Sequence, residues 1–378
     1  MSVYFDYLSG SPIDPRVIDV MIPILKGTYG NPLSLHRIGR EAASILEQSR
    51  EQVATFIGAS PEEIIFTSGG VESNNLAVKG MLTVHEYGQL LASAVEPMSV
   101  LQSAQALESW GFSTTMIPVD ANGQLNLLSL DKLLNKFVRL ASVAWVVAET
   151  GTVQPIEEVA EQVKASGVPF HCDATLAARL FPIDVHELNI DALTICASTI
   201  GGPPGVGALF LRHGVRIRPV IDGGAQEMGR RAGRENLAGI AGFARATELA
   251  LSERQIRFSK LRELDRCLKS RLSEIPDLIF NVNLPSRAPG ILSCRIEGME
   301  SEALLMQLDE AGIFASPASP CSAAVRKASH VLKAMGLSDE QAASTLNFSL
   351  SWETEMQEID ELIEVLKSAV ERLRAMSF

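Results

Sequence analysis

Short apolar runs of β type alternate along the chain with longer segments whose apolar residues recur at helical spacing. The runs at 64–66, 90–95, 142–148 and 193–196 predict buried strands, and FHCDAT at 170–175 predicts another that ends in the acid Asp173. After the run at 193–196 come a small polar bend, Ser198 and Thr199, a Gly/Pro cluster at 201–205 and a second apolar run at 206–211. That pattern predicts two strands and a tight connection. Helical spacing marks 15–25, 41–57 (Ala42, Ile45, Leu46, Val53, Ile57), 239–274, 301–311 and 355–376, and further strands are expected at 293–296 and 347–351. The opening stretch, 4–12, predicts an extended entry broken by Gly10 and Pro12, and no segment repeats.

Strands alternating with helices predict an α/β fold with a mostly parallel sheet. At 378 residues the chain is long enough for a large core plus a smaller appended unit. The hydrophobic runs break within about ten residues, against the roughly 20 that a membrane span needs. No basic region precedes an apolar one at the N-terminus, so a cytoplasmic protein without a membrane partner is expected. A net charge of −12 argues against a nucleic-acid surface, although Arg230, Arg231 and Arg234 cluster locally. Five cysteines without a CxxC pair are neither a disulfide framework nor a zinc module, and no metal is expected. Cys172 and Cys196, at neighbouring strand ends, lack a third ligand and read as core residues.

Two further features carry candidate chemistry. The turn Thr67-Ser68-Gly69-Gly70 precedes a helix beginning near Val71, where free backbone N–H groups and the helix dipole can hold a phosphate, although glycine also stands at such turns for backbone reasons alone. Cys321 sits in the Ser/Pro/Ala-rich FASPASPCSAA, which favours an exposed functional thiol over a buried small hydrophobe, although Pro317 and Pro320 stiffen that stretch.

Taken together, IIFTSGGVESNN (64–75), FHCDAT, LTICASTIGGPPGVGALF (193–210), DGGAQEMGRRAGREN (222–236) and the Cys321 stretch followed by SHVLKAMGLSDEQA (329–342) resemble the cysteine desulfurases, the class V branch of the pyridoxal-phosphate (PLP) enzymes. YGNPLSLHRIGR at 29–40 matches as well, with His36 read as a structural loop histidine. The resemblance covers nearly the whole chain. It implies PLP-transferase fold type I: a large α/β domain over 13–250, and a small α/β domain made of 1–12 and 251–378. It also implies a homodimer, with an iron–sulfur scaffold or other sulfur acceptor as partner.

The matches end at the pocket. Where the family reads Ser-Ala-His-Lys, its lysine holding PLP as a Schiff base, this chain has Cys196, Ala197, Ser198 and Thr199. Val71 replaces a phosphate-binding threonine, Pro97 the ring-stacking histidine, and Val147 and Ala148 an Asn pair that bonds the ring oxygen. Leu176 replaces a glutamine, Asn347 the arginine for the substrate carboxylate, and Arg234 a threonine given to the neighbour's phosphate. Arg234 reads either as a remnant anion site or as an interface arginine paired with an acid. Asp173 reads either as the partner of the PLP ring nitrogen or as the N-cap of a helix starting near Ala174.

The vestigial cofactor set is thus Ser68, Gly69, Gly70, Asp173 and Arg234, with PLP absent or weakly and non-covalently bound. By resemblance Cys321 is the catalytic position, whose thiolate attacks substrate sulfur and carries a persulfide. The expected function is that of a catalytically degenerate desulfurase homologue, a dimeric scaffold in sulfur or iron–sulfur trafficking, with Cys321 as persulfide acceptor or cluster ligand. The alternative is an active desulfurase releasing sulfur from L-cysteine with non-covalent PLP.

Overall fold

The apolar runs of the first two-thirds of the chain meet in one sheet. The computed structural model describes residues 2–318 and 328–376. In chain order the elements are β1 (Val3–Tyr4), α1 (Pro15–Gly27), α2 (Arg37–Phe56), β2 (Ile64–Thr67), α3 (Gly70–Leu82), β3 (Gly88–Ser93), α4 (Met98–Gln105), β4 (Phe112–Ile117), α5 (Leu127–Leu133), β5 (Val138–Ala144), α6 (Ile156–Ala165) and β6 (Phe170–Asp173). There follow β7 (Ala192–Cys196), β8 (Gly207–Leu211), α7 (Leu237–Leu272), β9 (Leu278–Phe280), β10 (Ile291–Ile296), α8 (Ser301–Glu310), β11 (Ile313–Phe314), β12 (Ser316–Pro317), α9 (His330–Ala334), α10 (Asp339–Ala343), β13 (Thr345–Ser349) and α11 (Met356–Met376).

Among the described residues the main sheet has seven strands in the order β2-β8-β7-β6-β5-β3-β4. Only β8 runs against the rest, because the Gly/Pro connection after β7 turns the chain straight back beside it. Both faces are covered, as a mostly parallel sheet requires. Ile64, Phe66, Leu91, Val143 and Phe210 face a core shared with α2, α6 and α7. Their neighbours Ile65, Leu90, Ala92, Leu140 and Leu209 face the opposite core under α3 and α4. The period of two along each strand therefore sorts the side chains between two cores.

A second sheet, β12-β13-β10-β9, packs beyond α7, and the N-terminal β1 pairs in parallel with β11. The chain's first residues are thereby tied to its last third. Among the described residues no helix is long and apolar enough to cross a membrane.

Several boundaries differ from the sequence expectation for physical reasons. The helix expected from residue 41 starts at Arg37, since the His36 ring Nδ1 accepts the Gly39 N–H (3.1 Å) and caps it. His36 is structural, but as a helix cap. The strand expected over 142–148 ends at Ala144. Beyond it the Trp145 N–H goes to the Asp173 carbonyl, and Val146 forms only an isolated bridge with Val153. Of the expected entry segment 4–12, only Tyr4 belongs to a strand.

Candidate functional site

Parallel strands deliver their C-terminal ends to one edge of a sheet, and that edge is where α/β folds place ligands. Here it gathers the turn after β2, Glu96 beyond β3, residues 145–149 beyond β5, Asp173 at the end of β6 and the bend 196–199 beyond β7. The turn packs closely against Asp173's neighbours: a Cβ added at Gly70 would lie 3.0 Å from Thr175 Cγ2. Gly69 takes φ 145°, a conformation suited to glycine.

Asp173 is 6% exposed, and both its carboxylate oxygens have partners within the chain. Its Oδ1 accepts the Thr175 N–H (2.9 Å) and hydroxyl (2.7 Å), and its Oδ2 accepts Asn74 Nδ2 (2.7 Å). Burial raises its pKa against those hydrogen bonds. No α-helix starts near Ala174; Asp173 closes an Asx-type turn, and only a 3-10 turn follows, at Ala177–Arg179. The N-cap alternative for Asp173 is therefore corrected.

Glu96 is completely buried. Its Oε1 accepts the Ala144 N–H (2.6 Å), and Ser142 Oγ donates to its Oε2 (3.2 Å). Ser142 also bonds His171 Nδ1 (2.9 Å), and His171 Nε2 meets Thr194 Oγ1 (3.0 Å). Burial pushes the Glu96 pKa up to about 8, with the Asp173 charge adding to the rise, so the acid holds its proton at neutral pH. Burial likewise pushes His171 down to about 3, leaving a neutral ring. From outside the main sheet, the His330 ring bonds the Glu96 carbonyl (2.9 Å) and Ser329 donates to Glu149.

The first amides of α3 have no partner within the helix, so Gly70 and Val71 keep an N–H at its positive end. The Ser68 N–H is taken by Glu72 Oε2 (2.7 Å), and Glu72 Oε1 holds Arg231 Nε (2.8 Å). Val71 itself is 68% exposed and offers no hydroxyl. Thr199 lies in a 3-10 turn and donates to the Cys196 carbonyl (3.1 Å), with Cys196 Sγ 3.7 Å from its hydroxyl. It carries no amine and cannot form an imine.

Val147 is a buried apolar side chain that packs in a small cluster with Val95, Leu332 and Met335. Asn347 on β13 donates to the Ala318 carbonyl (2.9 Å), while its Oδ1 is buried without a partner. Arg234 is exposed and donates to the Tyr29 carbonyl; among the described residues it has no acid partner. Cys321 lies outside the described residues. Among those described, no group of three or more Cys, His, Asp or Glu could hold a metal.

The edge thus brings together Ser68, Gly69, Gly70, Asp173 and Thr199. The sequence reading missed Glu96, Ser142, His171, Thr194 and Asn74. Their signal was present, since a glutamate and a histidine inside apolar runs are rarely left buried without partners.

Comparison with known proteins gives a consistent set of likenesses. The aminotransferase class-V family matches residues 3–362. A cysteine desulfurase of Nostoc sp. is 39% identical over 377 residues, covering 99% of this chain and 94% of the relative. Cysteine desulfurase IscS of Dictyoglomus turgidum is 38% identical over 378 residues, covering 99% and 96%. Among solved structures, a NifS-like protein superposes with a TM-score of 0.92 at 32% identity, over 98% of this chain and 100% of that one.

Proposed function

Because this chain belongs to the class V aminotransferases and, within them, to the cysteine desulfurase family, we propose that it is a degenerate member acting in sulfur or iron–sulfur trafficking rather than a PLP-dependent desulfurase. The observation that carries this reading is Thr199. The family is PLP-dependent, and its covalent attachment needs an amine at a place where this chain has a hydroxyl turned into its own bend. The remaining contacts do not replace it. Asp173 already accepts three internal hydrogen bonds, Val147 offers only an apolar side chain, and Pro97 has no aromatic ring to stack and no titratable proton to move. The residue set therefore does not fit a covalently held PLP.

What persists is scaffold and surface. Along α1 and the loop after it, Ile18, Ile22, Leu25, Tyr29 and Leu35 are exposed apolar residues, and Arg234 reaches Tyr29 from the 222–236 loop. We assign this face to a second copy of the chain, since exposed apolar surface of this kind marks an association site. In that dimer Cys321 is the acceptor: its thiolate attacks the outer sulfur of a donor protein's persulfide, the S–S bond breaks, and the donor leaves as a thiolate.

Two measurements test the proposal. Near-ultraviolet and visible absorbance is recorded before and after adding PLP and dialysing; a flat spectrum is expected. A retained band that changes with L-cysteine, with sulfide release above that of free PLP, would overturn the reading in favour of a desulfurase with non-covalent PLP. Mass spectrometry after incubation with an active desulfurase and cysteine should show a persulfide on Cys321 that Cys321→Ser abolishes. Equal labelling of the serine variant would remove Cys321 from the proposal.

A further inference from the structure

Against the second half of α7 lies an open cleft of about 730 Å³, bounded on its other side by the loop carrying Leu284 to Pro289. Its floor is apolar, with Phe181, Phe258 and Leu284 among its residues, and Phe181 is backed by a stacked Trp145 (ring centroids 6.0 Å apart). Its wall is cationic. Arg262, Arg266 and Lys269 line it, and among the described residues none of them has a carboxylate within ion-pair distance. Arg262 lies over the Phe258 ring (5.9 Å), and Lys269 donates to Asn283 (3.0 Å). The one acid in the lining, Asp265, is already neutralised by Arg287 (2.6 Å) and also accepts the Gly290 N–H.

Three uncompensated cations around an aromatic floor are out of character for a chain of net charge −12. Such a site attracts anions, and its apolar floor rewards an anchor that a simple inorganic ion lacks. The spacing narrows the choice. Arg262, Arg266 and Lys269 follow at four and three residues, so they climb roughly 6 Å and then 4.5 Å along the helix. Alternate side chains of an extended segment recur at about 6.6 Å, so acids on every second residue can meet successive cations. A single carboxylate covers only part of this row.

We propose that the cleft is a docking site for an extended acidic segment of a partner protein carrying one apolar anchor. The acids pair with Arg262, Arg266 and Lys269, and the anchor sits on Phe258 and Leu284. The proposal rests on the cleft's own lining and does not depend on how the pocket edge is read.

The probe is a fluorescein-labelled synthetic peptide, Glu-Ser-Glu-Phe-Glu-Ser, and the readout is anisotropy with the full chain at low and high salt. Saturable binding is expected, weakened about tenfold or more by Arg262→Glu with Arg266→Glu and by added salt. Leu284→Asp, or serine in place of the peptide's phenylalanine, should weaken it as well. Both arginines are exposed, and an unchanged melting temperature confirms that the reversed variant is folded. Absence of saturable binding, or binding that the double reversal leaves unchanged, would overturn the proposal. Displacement of the peptide by micromolar phenylacetate would also overturn it, by assigning the cleft to a small organic anion.

Discussion

Replacing Glu96 by glutamine removes a buried acid while keeping its shape. The amide oxygen can still accept the Ala144 N–H (2.6 Å in the native protein), and the amide nitrogen can donate to Ser142 Oγ, whose own proton then turns to His171. The native group's pKa rises from the ordinary 4.5 to about 8 on folding, so the folded chain binds this proton more tightly than the unfolded one. Stability from that proton is fully present below about pH 4.5, and it is lost as pH rises through 8, at about 1.4 kcal/mol per pH unit. Over the whole window the loss reaches about 5 kcal/mol, a large share of a domain's stability. His171 acts oppositely: its folded pKa of about 3 lies below the ordinary 6.5, so its contribution is present above 6.5 and lost as pH falls through 3. Between 4.5 and 6.5 the two slopes cancel; above 6.5 the Glu96 loss stands alone. Denaturant midpoints of the native chain and Glu96→Gln at several pH values should show curves that nearly meet near pH 5 and diverge in the variant's favour up to pH 8. A constant offset between the two curves would refute the argument, because it would mean that Glu96 is ionised throughout.

Other consequences concern the scaffold. Glu227 is buried, accepts the Phe66 N–H (2.8 Å) and pairs with Arg50 through two bonds, 2.8 and 2.9 Å. Arg50→Met leaves that charge alone and should cost about 3–5 kcal/mol; adding Glu227→Gln should recover part of it in chemical denaturation. A Cβ at Gly39 would lie 2.2 Å from the Ser34 carbonyl oxygen, so Gly39→Ala should lower the melting temperature. At Gly27, the last residue of α1, nothing lies within 4 Å, and alanine should be neutral or raise stability by up to about 1 kcal/mol.

The fold was legible because its signals are local and repeated. A run such as 64–66 is apolar at every position, as in a strand covered on both faces, and the Gly/Pro cluster at 201–205 precedes the one strand that, among the described residues, runs against the rest of the main sheet. Boundaries were less legible where a distant group decided them. The helix at Arg37 depends on a ring nitrogen capping its first turn, and β5 ends because Trp145 turns its N–H to Asp173. Gly30 and Gly39, quoted as parts of a motif, owe their place to close backbone approach: a Cβ at Gly30 would lie 2.2 Å from the Ile38 carbonyl. The pocket was legible through Asp173 and the glycine turn, whereas the Glu96–Ser142–His171–Thr194 chain joins four separate segments. No short sequence window contains it.

That same division separates side chains that the fold needs from side chains that it does not. Glu96, His171 and Asp173 spend their polar atoms on Ala144, Ser142, Thr194, Asn74 and Thr175, so they satisfy backbone and side chains that would otherwise be buried and unpaired. Removing the hydrogen-bonding atoms of any of them carries a folding cost whether or not a ligand binds. At Val71 and Thr199 the fold asks for less. Val71 is largely exposed at the start of α3, and Thr199 bonds only within its own turn. Side chains placed this way contribute little to the fold, and surface changes of this kind rarely exceed about half a kcal/mol. Substitutions at Val71 and Thr199 should therefore move folding stability little, whereas loss of the hydrogen-bonding atoms of Glu96 or Asp173 should lower it.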